Sequence, residues 1–369
     1  MISKVSEINY YFKYNKFKKI AVIAGENSFI KIKGNKILKL FFRKNEKIEI
    51  KCFFKKNKYP EINELKKIIE FLKSFKPDAI IAIGGGSVID YAKIANIKDI
   101  EKNIFSKILN SSYFCKEKIA KLIAVPTTAG AGAEVTSSAV IYVNKKKYSI
   151  EDKLIIPDKF FLIPEVILNN NKRLKASAGF DAISQSIESI ISMNSNKKSL
   201  FFAKKSLNLS LENYLNFLRK PNIYNSSEMS LAAMFSGKAI NISKTTAPHA
   251  VSYPFTAHFN ISHGHAVSLT LEKFLEFNYK NINHSRTNFN LNERYKMLFK
   301  LFGVKNIIEL NKKIKNIKNK KNLEDNFKIL KIDINKNFNK IASGVNLKRL
   351  KNNPIEINKT DLKFILLNN

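Results

Sequence analysis

Apolar positions in roughly the first 165 residues follow two spacings that alternate along the chain. Continuous apolar runs at Lys19–Gly25, Asp78–Gly84 and Lys121–Pro126 each end at a glycine or proline, which is typical of buried strands. The segment Ile62–Phe75 instead has apolar residues three and four apart, which predicts an amphipathic helix that ends before Pro77. Strands that alternate with helices predict an α/β domain on a mostly parallel sheet.

The pattern changes after Pro164. Long stretches with helical spacing follow at 178–192, 199–218 and 228–242, with few strand signals. A chain of 369 residues also exceeds the size at which a single hydrophobic core usually stops growing. We therefore predict an α/β domain over residues 1–163 and an all-helical domain over residues 164–369.

Composition restricts the class of protein. An apolar fraction of 44% with 26% charged residues is ordinary for a soluble globular chain. No apolar run reaches the length of a membrane span and no signal-peptide pattern follows Met1, so we expect a cytoplasmic protein with no membrane partner. Cys52 and Cys115 are too few for a disulfide framework, which agrees with a reducing compartment.

The net charge of +35 has two interpretations. It could attract a partner with many phosphates, or it could reflect lysine spread over the whole chain, as in the run 311–322. No zinc-finger spacing, RNA-binding strand or basic-zipper heptad supports the first. We favour solvated lysine faces and expect no dedicated nucleic-acid surface; a degenerate basic protein that binds nucleic acid or an acidic partner is the non-enzyme alternative.

Two glycine-rich loops follow predicted strands. Gly84-Gly-Gly-Ser87 opens a helix, whose backbone N–H groups can hold a pyrophosphate. Thr127, Thr128, Gly130 and Gly132 follow the next buried strand, and parallel strands bring such loops to the edge where dinucleotides bind. A tight structural turn explains three glycines equally well. Neither loop is a Walker or Gly-x-Gly-x-x-Gly sequence, which argues against a P-loop NTPase.

Four of the five histidines lie between positions 249 and 265. His249 and His263 are fourteen residues apart, while Asp181 and Gln185 lie four apart on one face of a predicted helix. Two imidazoles with a carboxylate suit a divalent ion such as Fe²⁺ or Zn²⁺. The alternative is that these histidines are hydrogen-bonded core or surface residues.

Together, four ordered segments resemble the successive motifs of the iron-containing (group III) alcohol dehydrogenase family: Gly84–Lys93, Pro126–Thr136, Gly179–Ser189 and His249–Gly264. The resemblance implies an N-terminal dinucleotide-binding α/β domain, an all-helical C-terminal domain and an active site in the cleft between them. It also implies NADH or NADPH and a divalent metal (Fe²⁺ or Zn²⁺) as cofactors. Family members usually form homodimers or larger assemblies.

Carried over position by position, the family's cofactor-binding residues become Gly85, Gly86, Ser87, Asp90, Thr127, Thr128 and Lys147. Its metal ligands become Asp181, Gln185, His249 and His263.

Two positions depart from the family. Gln185 replaces a histidine ligand, and because an amide oxygen is a weaker donor, we expect lower metal affinity or a site of three protein ligands, with loss of the metal as the alternative. Tyr253 replaces a non-ligand histidine beside the substrate; it can pass a proton or donate a hydrogen bond, with apolar packing as the alternative.

The resemblance implies reduction of a small aldehyde to an alcohol. The segments around Asp181 and Lys244–Pro254 are similar to the subgroup that reduces phosphonoacetaldehyde to 2-hydroxyethylphosphonate. We expect Lys244 or Lys238 to pair with an anionic substrate, with ordinary surface lysines as the alternative. A glycerol or glycerol-phosphate dehydrogenase and a dehydroquinate-synthase-like lyase are the other enzymatic candidates.

Overall fold

The computed structural model describes residues 2–42, 48–100, 104–110, 115–318 and 322–367. They divide into two compact units, Met1–Asn170 with Asn222–Leu231 and Asn171–Pro221 with Ala232–Asn369. The first unit is α/β and the second is helical, so the predicted fold class is confirmed. No helix in the described ranges is long and apolar enough to cross a membrane.

A parallel sheet forms the centre of the first unit. The strands of this unit in the described residues are β1 (Lys19–Gly25), β2 (Glu49–Lys55), β3 (Ala79–Gly84), β4 (Lys121–Pro126), β5 (Ser138–Val143), β6 (Lys146–Glu151) and β7 (Lys159–Phe160). The order in the main sheet is β2-β1-β3-β4-β7, and every pairing in it is parallel. Every position of β3 is buried, as expected for a central strand covered on both faces.

Helices cover this sheet. They are α1 (Val5–Asn15), α2 (Glu26–Lys31), α3 (Gly34–Phe41), α4 (Ile62–Phe75), α5 (Gly86–Ala95), α6 (Ile104–Leu109) and α7 (Pro164–Leu168). The predicted helix Ile62–Phe75 is confirmed as α4, whose Leu65, Ile68 and Leu72 are fully buried against the sheet. Their spacing of three and four places them on one face of the helix.

The antiparallel pair β5–β6 was not predicted. Its two-residue turn consists of Asn144 and Lys145, both with positive φ (50° and 62°). That backbone geometry matches the right-handed twist of a hairpin. The pair lies beside α5 and so belongs to the surroundings of the first glycine loop.

The second unit is a helical assembly. Its helices in the described residues are α8 (Lys172–Ile191), α9 (Lys197–Arg219), α10 (Ile223–Ser243, whose first turns cluster with the first unit), α11 (Ala247–Phe259), α12 (His263–Ser268), α13 (Leu271–Lys280), α14 (Leu291–Phe302), α15 (Ile307–Lys318), α16 (Ile334–Ser343), α17 (Leu347–Leu350) and α18 (Lys359–Leu367). The predicted stretches 199–218 and 228–242 lie within α9 and α10, and 178–192 extends one residue beyond α8, to its C-cap Ser192. From Lys175 to Ile191, α8 is buried at all but one position, so its polar residues face other helices and not solvent.

Candidate metal centre and cofactor loops

The two glycine-rich loops of the first unit lie side by side. Gly84 and Pro126 are partners across β3 and β4, and the Thr127 amide donates to the Gly84 carbonyl at 3.0 Å. A Cβ atom on Gly86 would lie 3.1 Å from the Ala131 Cβ, which is closer than ordinary contact. Glycine at this position therefore lets the second loop pack against the start of α5.

The start of α5 has the geometry of an anion-binding loop. Gly85 is its N-cap, and the helix begins at Gly86, so the first backbone N–H groups point out of the helix end. Gly85, Gly86 and Ser87 are all partly exposed. The positive end of the helix dipole lies at the same place.

Charged groups are buried behind this loop. Asp90 accepts a hydrogen bond from the Val140 amide of β5 at 3.1 Å, and burial raises its pKa to about 6. Lys93 donates to the Thr136 carbonyl and hydroxyl at 2.8 and 2.9 Å, and burial lowers its pKa to about 8. Burial also raises the pKa of Glu134 to about 7, against the opposing charge of Lys93. Asp90 and Lys93 therefore join α5 to β5 and to Thr136, which precedes that strand.

The other predicted cofactor residues surround the same loop. Thr127 is buried, and its carbonyl accepts from the Asn170 side chain at 2.7 Å. Thr128 is partly exposed, and its Oγ1 would lie 3.2 Å from a Cβ on Gly85. The charge of Lys147, on β6, lowers the pKa of Asp90, which places the two groups within electrostatic range.

In the second unit, three predicted metal ligands converge. His249 Nε2 lies 3.2 Å from Asp181 Oδ1, and His263 Nε2 lies 3.9 Å from the same oxygen. One ligand atom from each of the three residues lies within 4.8 Å of the others. Metal–ligand bonds of about 2.1 Å in a tetrahedral site require ligand atoms about 3.4 Å apart. The donor types and their separations therefore fit a divalent ion.

Packing of α12 against α8 places His263 beside Asp181. Gly264 follows His263, and a Cβ on it would lie 1.9 Å from the Ser177 carbonyl oxygen. No larger residue fits there without moving the helices apart. The Ser177 hydroxyl also bonds to the Ser262 hydroxyl at 2.8 Å. Among the three ligands only His263 has a substantially exposed side chain, at 37%, so the centre is open on its side.

Glu188 contacts the candidate centre, and the sequence interpretation did not name it. Its carboxylate is fully buried, and Oε2 forms a close hydrogen bond with His249 Nδ1. Its Oε1 accepts from the Thr246 amide and hydroxyl, both at 2.9 Å, at the start of α11. With a proton held on Nδ1 by Glu188, Nε2 is the ring nitrogen that would bind an ion, once the ion displaces its proton. Burial lowers the pKa of His249, but Glu188 and Asp181 outweigh it and raise that pKa to about 9.

Gln185 lies next to Asp181 and is buried. Its Nε2 donates to Asp181 Oδ2 at 3.2 Å, and its Oε1 accepts from the Ser236 hydroxyl at 2.9 Å. Ser236 also lies 2.8 Å from the Ala233 carbonyl. In this arrangement Gln185 orients the Asp181 carboxylate with its amide nitrogen.

Tyr253 lies against the open side of the centre. Its ring stacks on His263 with centroids 5.6 Å apart and planes only 4° from parallel. Its hydroxyl forms a hydrogen bond with Arg349, a residue from the lysine- and asparagine-rich C-terminal part of the chain. Burial raises the pKa of Tyr253. The tyrosine therefore stays protonated near neutral pH.

Two lysines were predicted to face a substrate. Lys244 is partly exposed and follows α10 with a positive φ of 60°. The Lys238 ammonium lies 5.6 Å from the Phe202 ring centroid and 5.9 Å from that of Phe235. The Lys238 ammonium thus lies near two aromatic rings.

The remaining histidines have other surroundings. His265 is buried, and its Nε2 bonds to the Glu324 carbonyl at 2.6 Å, a hydrogen-bonded core role. His284 is exposed in a short 3₁₀ helix, Ile282–His284. His258 lies in the last turn of α11 and is partly exposed. None of these three belongs to the cluster around Asp181.

Comparison with known proteins decides the family. The model of the iron-containing alcohol dehydrogenase family matches residues 3–164, and the model of its C-terminal region matches residues 175–369. The chain belongs to the iron-containing alcohol dehydrogenase family. The resemblance inferred from four sequence motifs is therefore confirmed.

Individual relatives within this family are distant. A phosphonoacetaldehyde reductase of Streptomyces viridochromogenes is 30% identical over 56% of this chain and 55% of its own length. Aldehyde-alcohol dehydrogenase 2 of Entamoeba histolytica is 26% identical over 73% of this chain and 32% of its own. The chain thus spans from about a third to just over half of these curated relatives.

Solved structures share the fold. The crystal structure of sulfoacetaldehyde reductase from Bifidobacterium kashiwanohense in complex with NAD⁺ matches with a TM-score of 0.86 and 23% identity. The match covers 100% of this chain and 96% of that one. Both units of the chain therefore have the fold of this family.

Proposed function

We propose that this chain reduces a short aldehyde to an alcohol with a nicotinamide cofactor and a divalent metal. One observation carries the proposal: Asp181, His249 and His263, from α8, α11 and α12, bring their ligand atoms within 4.8 Å of one another. Glu188 supports this set by fixing the His249 tautomer. A purely structural ion pair would not require two imidazoles to direct nitrogens at one carboxylate oxygen.

Asp181, His249 and His263 would hold the ion, and it would polarise a carbonyl oxygen as a Lewis acid. Gln185 is the proposed weak fourth ligand, because a flip of its side-chain amide exchanges the positions of its oxygen and nitrogen. After the flip the oxygen faces the ion, and the nitrogen donates to the Ser236 hydroxyl. Ser236 accepts this bond because its own proton can go to the Ala233 carbonyl. An amide oxygen binds more weakly than the imidazole usual at this position, so we expect modest metal affinity.

The glycine loops are the proposed cofactor site. The amides of Gly85, Gly86 and Ser87 at the start of α5 suit a pyrophosphate, and Thr127 and Thr128 adjoin them. Lys147 would face the rest of the cofactor, as its position in the family implies, and the buried Asp90 would hold α5 in place behind the loop. Bound NADH or NADPH would supply hydride to the carbonyl carbon. The NAD⁺ complex of the sulfoacetaldehyde reductase supports a nicotinamide cofactor for this fold.

Tyr253 is the proposed proton donor. Burial keeps its hydroxyl protonated, and its ring lies parallel to that of His263. In aldehyde reduction the carbonyl carbon gains hydride and the oxygen gains a proton. The Tyr253 hydroxyl, or a water bound to it, would deliver that proton.

The proposed substrate is phosphonoacetaldehyde or a similar anionic aldehyde. The phosphonoacetaldehyde reductase among the relatives and the sulfoacetaldehyde reductase among the structures both act, by name, on aldehydes with an oxyanion. Lys244 is proposed to attract that charge. Replacing Lys244 by alanine should raise the KM for an anionic aldehyde more than for a neutral one; equal changes would refute its role.

The test is NADH and NADPH oxidation against a panel of aldehydes, with metal removed and then restored as Fe²⁺ or Zn²⁺. The panel contains phosphonoacetaldehyde, sulfoacetaldehyde, succinate semialdehyde and propanal, with glycerol plus NAD⁺ for the reverse reaction. We expect metal-dependent turnover that is highest with an anionic aldehyde. Turnover of glycerol alone would favour a glycerol dehydrogenase, and no turnover of any compound with restored metal would refute the proposal.

A further inference from the structure

The carboxyl ends of β1 and β2 lie next to the proposed pyrophosphate loop. β1 pairs with β3 on one side and with β2 on the other, and Gly25 and Lys55 are register partners at the ends of β1 and β2. A Cβ atom on Gly25 would lie 3.9 Å from the Lys55 Cε atom and 3.9 Å from a methyl carbon of Val88, in the first turn of α5. The Lys55 side chain and the start of α5 therefore flank the same glycine.

The absence of a side chain at position 25 leaves room between these two groups. The Ser28 hydroxyl donates to the Gly25 carbonyl at 2.8 Å, and a Cβ on Gly25 would lie 2.8 Å from the same hydroxyl oxygen. Gly25, Ser28 and Lys55 are all partly exposed. A ligand can therefore reach the end of β1 from solvent.

The opposite side of the pyrophosphate loop has different neighbours. There the second glycine loop packs against the first, with Thr128 beside Gly85 and Ala131 beside Gly86. The two halves of a dinucleotide leave its pyrophosphate in opposite directions along the carboxyl edge of a parallel sheet. One half of a bound cofactor would therefore pass over the second loop, and the other would pass over Gly25 toward Lys55.

Lys55 brings a positive charge to the route over Gly25. Its ammonium donates a close hydrogen bond to the Asn57 carbonyl, which uses one of its three N–H donors. Glu64 lies within electrostatic range, and hydrogen bonds from the Asn57 backbone amide and the Tyr91 hydroxyl hold its carboxylate at 3.2 and 3.0 Å. Burial lowers the pKa of Lys55 despite the charge of Glu64, so an anion bound beside the ammonium would offset an existing desolvation cost.

We propose that Lys55 binds the 2′-phosphate of NADPH and that the protein prefers NADPH to NADH. The inference rests on the proposed nicotinamide site and specifies which of its two cofactors is used. Beyond the pyrophosphate, the 2′-phosphate is the anionic group of NADPH, and NADH has a hydroxyl at that position. A cation beside the adenosine ribose distinguishes the two cofactors, because it attracts a phosphate and gains little from a hydroxyl.

Glu26 is the residue that would favour the other cofactor. An NADH site is typically marked by a carboxylate that accepts a hydrogen bond from the ribose 2′-hydroxyl. Glu26 directly follows Gly25 and is exposed at the start of α2, where its charge would repel a phosphate. The position of Lys55 across Gly25 favours the phosphate, and a Glu26 variant decides between the two.

The experiment measures NADPH and NADH binding by fluorescence titration for Lys55→Met, Lys55→Arg and the control Lys51→Met. Lys51 lies on the same strand, four residues before its carboxyl end, and is exposed. We expect the original protein to bind NADPH about tenfold or more tighter than NADH. Lys55→Met should weaken NADPH binding by about 10- to 100-fold, the usual effect of losing a hydrogen bond to a charged group, and NADH binding by less than about threefold.

The other variants separate charge from packing. Lys55→Arg keeps the positive charge and should retain the preference for NADPH, and Lys51→Met should change neither affinity. Glu26→Gln should leave the preference unchanged or increase it. Equal weakening of both cofactors by Lys55→Met, tighter binding of NADH than of NADPH by the original protein, or a selective loss of NADH binding in Glu26→Gln would overturn the proposal.

A nucleotide titration keeps this test separate from that of the reaction. Adenosine 2′,5′-bisphosphate and adenosine 5′-monophosphate differ only in the 2′-phosphate, and their binding requires no metal, aldehyde or turnover. Tighter calorimetric binding of the bisphosphate, lost in Lys55→Met with circular dichroism unchanged, supports the phosphate site even where no aldehyde is reduced. Equal affinity for the two nucleotides, or a preference that Lys55→Met retains, overturns it even where the reductase activity is confirmed.

Discussion

Replacing Glu188 by glutamine tests how the metal centre is supported. The substitution keeps the size of the side chain, and its remaining oxygen can still accept from the Thr246 amide and hydroxyl. The amide NH₂ would then face His249 Nδ1, which now has to accept a hydrogen bond instead of donating one. The His249 proton moves to Nε2, the nitrogen that is directed at Asp181 and is proposed to bind the ion.

The expected magnitude follows from two independent comparisons. Loss of a carboxylate that orients a metal-binding histidine typically costs 10- to 100-fold in metal affinity. A hydrogen bond to a charged group contributes about 1.5–3 kcal/mol. Both indicate a loss of about 2 kcal/mol, or a Zn²⁺ dissociation constant about 30-fold higher.

The assay is competition between the protein and a chromophoric chelator for Zn²⁺ at pH 8. Glu212→Gln serves as the control, since Glu212 is an exposed carboxylate on α9 in the same unit. Circular dichroism and thermal unfolding without metal should show that both variants fold. If Glu188→Gln binds Zn²⁺ within threefold of the original protein, the assigned role of Glu188 is wrong.

Three further predictions concern single residues. Gln185→His adds an imidazole and should raise Zn²⁺ affinity at least tenfold in the same chelator assay; an unchanged affinity would exclude position 185 from the metal site. Gly86→Val should weaken NADH binding at least tenfold in a fluorescence titration, because its side chain would press on Ala131 and cover the loop amides; unaltered binding would place the cofactor elsewhere. Burial raises the pKa of Glu134 from 4.5 to about 7, so between these values the folded state binds a proton that the unfolded state has lost. The free energy of unfolding should therefore fall by up to roughly 3 kcal/mol as the pH rises from 4.5 to 7. Glu134→Gln should remove this part of the decline when urea titrations at pH 5 and pH 7 are compared. An equal decline in the variant would contradict the assignment.

The sequence predicted the elements whose signal is local. β1, α4 and β4 have the predicted bounds, because continuous apolar runs and a single apolar helix face define them without long-range information. The hairpin β5–β6 was missed because Asn144-Lys145 lacks the glycine that usually marks such a turn. Strand signals were nonetheless present on both sides of the turn: a continuous apolar run over 139–143, and Tyr148 and Ile150 at alternate positions.

The site could be predicted only in part, because part of it depends on distant contacts. Glu188 lies seven residues after Asp181, two helical turns along the same face of α8, so its proximity to the metal centre could have been inferred from spacing. Arg349 could not, because its contact with Tyr253 joins positions almost a hundred residues apart. The lysine- and asparagine-rich composition of the C-terminal part hid the short helix that carries it.

The most direct test of the account is a crystal structure of metal-loaded protein with anomalous diffraction measured at the zinc or iron edge. The account predicts one strong anomalous peak about 2.0–2.2 Å from His249 Nε2, His263 Nε2 and an Asp181 oxygen. A peak bound elsewhere, or no peak at this position in fully loaded protein, would contradict the proposed metal centre.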